Sequence, residues 1–311
     1  VRPLQVNPPA QFLNTIGGVS PIRSLAIDGA TVSVDGRARV YATRAPDQAF
    51  ATPFDAGLDV QRLAAGDIPA ATSVEDSTGL ASGMLLYRWT LAPGEEREVA
   101  LVAPLDGEQV GLEPGFDAAR AAAETAARWQ ELLGQVELQL PAEGRDLVAT
   151  VRTALAHMLI SRVGPRLQPG TRSYSRSWIR DGAMISEGLL RLGRPEVVRQ
   201  YLEWYAPYQF ENGKVPCCVD ARGSDPVPEN DSHGELIFNI AEYWRYTGDR
   251  GFVQRMWPHV RGAFDYMERL RASERTAENR ARDPAFYGMM PVSISHEGYS
   301  AKPMHSYWDN F

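Results

Sequence analysis

The hydrophobic periodicity of this chain changes near Phe116, and that change restricts what the chain can fold into. Before it, segments rich in β-branched and aromatic residues are separated by Gly, Pro and Asp clusters, as at residues 30–34, 37–42, 84–91 and 97–102. After it, apolar residues recur at helical spacing almost to the end of the sequence. The sequence therefore predicts a β unit followed by an α unit.

The first half indicates an antiparallel β-sandwich over residues 1–113. Asp35-Gly36 is a two-residue hairpin signal, because both positions tolerate positive φ. A longer hairpin is predicted between residues 84–91 and 96–102, across a Pro-Gly turn. Many short strands without a helical period favour two packed sheets, and we find no catalytic pattern in this half.

A linker and consecutive helical hairpins are predicted after the sandwich. The linker covers residues 114–141 and contains an Ala-, Arg- and Glu-rich helix at 117–133 followed by a short strand. Amphipathic stripes in the helical domain, residues 142–311, predict helices at 145–161, at 179–192, from Pro195, at 232–246, from Pro258 and from about Ser306. The expected fold is a series of αα-hairpins.

The loops before the second, fourth and sixth of these helices are long and carry polar and aromatic residues. In a closed ring of hairpins these loops share one rim, where functional residues concentrate. Three stretches with ionisable and aromatic side chains fall there: residues 177–182 (SWIRDG), residues 229–233 (ENDSH), and residues 296–299 (HEGY) with the sequel 305–309 (HSYWD). We therefore expect one shared site on that rim.

The first two stretches suit an uncharged ligand rich in hydroxyl groups. Trp178 offers a flat apolar face, Arg180 a fixed fork of donors and Asp181 an acceptor. A favourable acidic residue at a helix N-terminus is the simpler explanation of Asp181. Asp231 and His233 are further binding candidates, although helix capping alone would explain Asp231.

The third stretch supplies carboxyl groups for acid catalysis. Cleavage of a glycosidic bond needs a carboxylic acid that protonates the leaving oxygen, and Glu297 and Asp309 are the two candidates. Tyr299 and Trp308 would desolvate such a carboxyl and are further candidates for binding the substrate. A solvated polar loop is the alternative, and the spacing of the histidines in this stretch does not indicate a metal site.

Composition excludes several classes of partner. The formal net charge of −7 leaves no electrostatic footprint for nucleic acid or anionic lipid, and no run of 18 apolar residues indicates a membrane span. Cys217 and Cys218 are the only cysteines, so we expect two buried thiols, no disulfide framework and no zinc site. We expect no metal and no cofactor. Localisation is left open between the cytoplasm and the periplasm or exterior.

The layout and motifs resemble the six-hairpin glycosidase superfamily, which includes glucoamylases, trehalases, debranching glucosidases and the maltose and cellobiose phosphorylases. The resemblance covers about residues 85–311 and is strongest at residues 178–193 and 231–249. It implies an (α/α)6 toroid in which Trp178, Arg180 and Asp181 bind the sugar at the cleavage subsite. A glucoamylase-like or phosphorylase-like alignment places the acid at Glu297, and a trehalase-like or debranching-like alignment places it at Asp309. We favour Glu297.

The resemblance also implies that only about half of the toroid lies in this chain, since hydrolytic members take their general base from a later helix. We therefore expect that the natural protein continues past Phe311, with further sequence or a second chain covering the exposed edge, or that this chain alone is inactive. The leading hypothesis is an inverting glycoside hydrolase that cleaves a glucoside-type oligosaccharide or polysaccharide. A glycoside phosphorylase, a non-catalytic carbohydrate-binding module and a helical toroid for an apolar ligand such as an isoprenoid are the alternatives.

Overall fold

A computed structural model describes residues 1–4, 18–104, 111–112, 115–171, 174–294 and 304–311. The chain divides into two compact units between Arg128 and Trp129. This division falls inside the linker predicted over residues 114–141. The first unit contains antiparallel sheets and the second is mainly helical, so the predicted combination of β and α structure is confirmed.

The first unit contains two antiparallel sheets over its described residues. Its strands in chain order are β1 (Ser24–Asp28), β2 (Thr31–Val34), β3 (Arg37–Ala42), β4 (Gln48–Thr52), β5 (Ser73–Glu75), β6 (Ser82–Leu86) and β7 (Leu101–Val102), with a short helix α1 (Asp59–Ala65). One sheet has the order β5-β1-β2-β3-β7, and β4 pairs with β6 in the other. Apolar residues of both sheets share one buried cluster, which includes Leu25, Val32 and Ala51.

The tight turn between β2 and β3 forms as predicted, with positive φ at Asp35 (49°) and Gly36 (73°). The predicted hairpin of residues 84–91 with 96–102 is wrong. β6 pairs with β4, with Phe50 opposite Met84, and β7 pairs with β3, with Tyr41 opposite Val102. Alternation fixes which side chains of a strand face inward, but it does not specify which strand lies beside it.

The helices are α2 (Ala118–Leu133), α3 (Arg145–Ile160), α4 (Ile179–Arg191), α5 (Pro195–Tyr205), α6 (Ser232–Thr247), α7 (Arg250–Ser273), α8 (Ala277–Arg282) and α9 (Tyr307–Asn310). The predicted start of a helix at Pro258 is wrong, because α7 begins at Arg250 and contains Pro258 in its interior. The carboxylate of Asp249 caps α7 by accepting a hydrogen bond from the Phe252 backbone N–H at 2.9 Å. Among the described residues, no helix has the length and apolar character needed to span a membrane.

The core of the second unit lies among α4, α5, α6 and α7, where Tyr201, Tyr205, Leu236 and Phe252 are fully buried. A small sheet holds the start of α4. It consists of β8 (Ser177–Trp178), β9 (Cys218–Asp220) and β10 (Gly223–Ser224) in the order β10-β9-β8. The backbone N–H of Ile179 donates to the Cys217 carbonyl at 3.0 Å, so the first turn of α4, which carries Arg180, is anchored to this sheet.

The contact between α4 and α5 makes a stability prediction at Gly182. A Cβ at this position would overlap with the Tyr201 hydroxyl oxygen, and Tyr201 is fully buried. We expect Gly182→Ala to lower the free energy of unfolding by at least about 1–3 kcal/mol through overpacking. On the same helix, the Cβ of Gly188→Ala would meet only the flexible Met158 side chain at 3.1 Å. That variant should be neutral or stabilising by up to about 1 kcal/mol, because alanine favours the helix.

Denaturant titrations of both variants test this prediction. Similar midpoints for Gly182→Ala and Gly188→Ala would contradict the close approach of Tyr201 to α4.

Candidate functional site

The first two stretches of the predicted rim and the sequel of the third, residues 305–309, meet at one cluster, which consists of Arg180, Glu229, Asp231 and Trp308. The Arg180 Nε donates to Asp231 Oδ2 at 2.5 Å, and its Nη2 donates to Glu229 Oε2 at 2.6 Å. The Trp308 indole N–H donates to the same Asp231 oxygen at 2.8 Å. Residues that are 51 and 77 positions apart in sequence thus converge on one carboxylate.

Asp231 stands at the N-cap position of α6, yet its side chain makes no capping hydrogen bond. Capping therefore does not explain this residue. Its side chain is only 3% exposed, and among the described residues its Oδ1 has no hydrogen-bond partner. A buried carboxylate oxygen normally has a partner, so Oδ1 has acceptor capacity that the described residues do not use.

The two carboxyl groups of the cluster keep the Arg180 guanidinium protonated. Burial lowers the pKa of Arg180, but hydrogen bonding to Asp231 and the charges of Asp231 and Glu229 more than offset burial and raise the pKa above its ordinary value. For Glu229, burial raises the pKa, the charge of Arg180 opposes that rise and the charge of Asp231 adds to it. The guanidinium is therefore a permanent donor set held by two carboxyl groups.

The loops before α6 and α9 are joined to each other by hydrogen bonds to backbone groups. The Asn230 side chain donates to the Pro291 carbonyl at 3.2 Å, and the Ile294 N–H donates to the Pro228 carbonyl at 3.1 Å. The Asn310 side-chain oxygen accepts from the Met290 N–H at 2.9 Å. These bonds fix the position of Trp308 relative to Asp231.

Of the two candidate acids, Asp309 lies among the described residues and Glu297 does not. Asp309 is buried on α9 beside Trp308, and its Oδ2 accepts a hydrogen bond from the Ser293 hydroxyl. Glu297 and Tyr299 lie outside the described residues. Their roles therefore stay predictions.

Trp178 and Asp181 lie beside the cluster. Trp178 is 7% exposed and contacts the two cysteines, and the Arg176 guanidinium lies 5.6 Å from the centre of its ring. Asp181 is half-buried in the first turn of α4, next to Arg180. The aromatic ring of the cluster that is open to solvent is Trp308, at 43% exposure. Of the two tryptophans, Trp308 therefore has the ring that solvent can reach.

His233 does not join the cluster. It is fully buried, its Nδ1 accepts from the Val215 N–H at 3.1 Å, and its ring packs edge-on against Tyr266. Burial, with a smaller contribution from the charge of Lys214, lowers the pKa of His233 to about 3. The neutral imidazole is part of the core.

Two carboxyl groups of this region were missing from the predicted site. Glu229 was part of a marked stretch but was not singled out, and no local pattern distinguishes it from other acidic loop residues. Glu235 follows Asp231 by one helical turn, and that spacing places both on one face of α6. This i,i+4 spacing was the available signal.

Glu235 leads to a prediction on pH. Burial, reinforced by the negative charge of Asp231 and opposed by Arg180, raises the pKa of Glu235 from 4.5 to about 7. The folded state therefore binds more protons than the unfolded state between these values, and the free energy of unfolding should fall as the pH rises through this range. Glu235→Gln removes this titration. We therefore expect the free energy of unfolding to fall less between pH 5 and pH 8 in this variant than in the wild type.

Unfolding of wild type, Glu235→Gln and the exposed-site control Glu211→Gln at both pH values tests this prediction. The control should follow the wild type. An identical pH dependence in all three proteins would contradict a buried, proton-holding Glu235.

No known family profile matches the chain. An uncharacterized glycosyl hydrolase of Methanocaldococcus jannaschii is 25% identical over 151 residues, which cover 45% of this chain and 24% of that protein. The chain is similar to a glycosyl hydrolase. The resemblance to glycosidases indicated by the motifs is thus confirmed by a sequence relative.

A bacterial glucoamylase complexed with acarbose also matches, with 11% identity and a TM-score of 0.49. That match covers 81% of this chain and 40% of the glucoamylase chain. The chain therefore spans less than half of the length of either similar protein, 24% and 40% respectively.

Proposed function

We propose that this chain forms the sugar-binding part of the active site of an inverting glycoside hydrolase that cleaves a glucoside-type oligosaccharide or polysaccharide. The observation that carries the proposal is the set of hydrogen bonds that Asp231 makes. It occupies a helix N-cap but binds Arg180 and Trp308 instead of capping, with one buried oxygen left over among the described residues. An acceptor of this kind supports a role for Asp231 in binding a ligand.

A sugar diol matches what the cluster offers. Arg180 carries five N–H donors, and the bonds to Asp231 and Glu229 use two of them. Asp231 Oδ1 provides an acceptor at the same place. Adjacent sugar hydroxyls can accept from the guanidinium and donate to the carboxylate, while the exposed Trp308 ring offers an apolar face. Because the guanidinium is already neutralised, an uncharged ligand fits better than an anion.

Catalysis in this proposal needs a general acid and a general base. We assign the acid to Glu297, with Asp309 as the alternative, on the resemblance to glucoamylases. An inverting enzyme holds its second carboxylate about 6.5–9.5 Å from the acid, with a water molecule between them. The resemblance assigns that base to a helix outside this chain. Completion of the toroid by further sequence or a second chain belongs to the same proposal.

The test combines binding and turnover on one panel of aryl glycosides and disaccharides. We expect hydrolysis of a glucoside with inverted product configuration and no dependence on added phosphate. Turnover that requires phosphate would replace the hydrolase by a phosphorylase. Saturable sugar binding without turnover would favour a non-catalytic carbohydrate-binding module. Absence of both would reject a carbohydrate site.

Asp231→Asn localises the binding. We expect it to weaken sugar binding about 10–100-fold, since a hydrogen bond to a charged group contributes about 1.5–3 kcal/mol. Asp249→Asn is the matched control, because Asp249 is also an N-cap residue but does cap its helix, and asparagine caps equally well. Equal affinity in the two variants would remove Asp231 from the site.

A further inference from the structure

The two cysteines lie next to a carboxylate that the sequence does not place near them. The chain bends at Cys217, just before β9, so the Sγ atoms of Cys217 and Cys218 are 2.7 Å apart instead of pointing to opposite faces of a strand. Beyond the β9–β10 turn, the Asp225 N–H donates to the Cys218 carbonyl at 3.0 Å. The two sulfurs and a carboxylate oxygen of Asp225 all lie within 4.8 Å of one another.

We propose that Cys217, Cys218 and Asp225 form a binding site for one thiophilic divalent cation of the Zn²⁺ or Cd²⁺ type. Two thiolates and a carboxylate are a donor set that these ions accept, and a water molecule or a further oxygen completes four-coordination. Binding requires the two sulfurs to separate from 2.7 Å to roughly 3.7 Å, the spacing of two thiolates on one tetrahedral ion. Among the described residues, this is the group whose ligand atoms come close enough to share an ion. The proposal does not depend on the glycosidase function.

Burial of the sulfurs fits a closed metal site. Cys217 and Cys218 are 3% and 1% exposed and pack against Trp178 and Val227. One divalent cation replaces two thiol protons, with two S–H bonds broken, two metal–sulfur bonds formed and two protons released. The total charge of the buried cluster does not change in this exchange.

Asp225 has lone pairs for a metal in addition to its present partners. Its Oδ2 accepts from the Arg176 guanidinium, and its Oδ1 accepts from the Val227 N–H at 3.0 Å. Each carboxylate oxygen has two acceptor positions, so Oδ1 can keep the Val227 bond and bind the cation. Arg176 then acts as an outer partner that orients the carboxylate.

The site lies directly behind the start of α4. Cys218 is paired with Trp178 across β9 and β8, and the Cys217 carbonyl accepts the Ile179 N–H. A cation held by both cysteines therefore fixes the residues that precede Arg180. We expect binding to raise the melting temperature, because a ligand that binds only the folded state stabilises it.

Titration of the reduced protein with Cd²⁺ tests the site. We expect one equivalent to bind, with a thiolate-to-metal charge-transfer band in the ultraviolet that Zn²⁺ competes away. Cys217→Ser and Cys218→Ser should each lose about half of the band intensity, since the band reports the number of thiolate bonds. A wild-type protein without the band, or with the cysteines oxidised to each other by mass, would overturn the proposal.

The carboxylate ligand is tested without touching the cysteines. Asp225→Asn should weaken Cd²⁺ binding by at least about tenfold, the lower end of the loss seen for partners of metal ligands. Asp220→Asn is the matched control, because Asp220 also pairs with Arg176, at 3.1 Å, but is not one of the grouped ligands. Equal Cd²⁺ affinity in the two variants would remove Asp225 from the site. Circular dichroism confirms that each variant is folded.

Discussion

Replacing Glu297 by Gln is expected to lower kcat about 10²–10⁴-fold on an alkyl glucoside or disaccharide, the usual contribution of a general acid. Gln is close in size to Glu but cannot give up a proton to the leaving oxygen. Binding of the sugar should change much less than kcat, because the proposed binding site consists of other residues, Arg180, Asp231 and Trp308, which contact one another. The measurement is steady-state hydrolysis by the intact protein.

The leaving group separates an acid from a merely structural residue. The phenolate of an aryl glucoside with an acidic phenol can leave without being protonated. The Glu297→Gln variant should therefore hydrolyse such a substrate at a rate much closer to that of the wild type. A structural defect would lower the rates on both substrates equally. That outcome would contradict the assignment of Glu297 as the acid.

Asp309→Asn is the competing variant. Asn can still accept a hydrogen bond from Ser293 at the position of Asp309 Oδ2. A loss that depends on the leaving group in Asp309→Asn but not in Glu297→Gln would move the acid to Asp309. Unchanged turnover in both variants would remove both carboxyl groups as the general acid.

The helices of the second unit were predictable because their ends carry local signals. Gly193 and Gly248, both with positive φ, follow α4 and α6, and the Ser306 side chain caps α9. The start of α7 was missed because Pro258 looked like a first-turn proline, whereas the Asp249 cap begins the helix earlier. Strand pairing was missed for a different reason. The partner of β6 depends on long-range packing that an alternating pattern does not encode.

The part of the site that depends on which loops lie on the same rim was predictable from the sequence. Long loops before α4, α6 and α9 indicated that Arg180, Asp231 and Trp308 would meet, and they do. The burial of Trp178 was not predictable, because it results from the short β8–β9 pairing and from the cysteines behind it. His233 illustrates the same limit, since a polar residue in the first turn of a helix is usually solvated, whereas here it faces Tyr266.

Replacing Arg180 by Met is expected to lower the free energy of unfolding by about 3–5 kcal/mol at neutral pH, the cost of leaving buried charges without their partner. The variant leaves Asp231 and Glu229, whose side chains are 3% and 10% exposed, without the guanidinium. Arg180 itself is 28% exposed, so we expect the lower end of the range. Arg199→Met is the matched control, since the pair of Arg199 with Glu203 is 49% and 36% exposed and should contribute about 0–1 kcal/mol.

The pH dependence of this loss identifies its cause. Burial already raises the pKa of Glu229, and replacing Arg180 removes the positive charge that opposes this rise. The folded variant then holds a proton on Glu229 at pH values where the unfolded chain has lost it, so its free energy of unfolding should rise as the pH falls toward the range where Glu229 protonates. Arg180→Met/Asp231→Asn should recover part of the loss, because one of the two orphaned charges is gone. Chemical denaturation at pH 5 and pH 8 measures both effects, and a loss no larger than that of Arg199→Met would show that solvent screens the pair and that the site is not preorganised for a sugar.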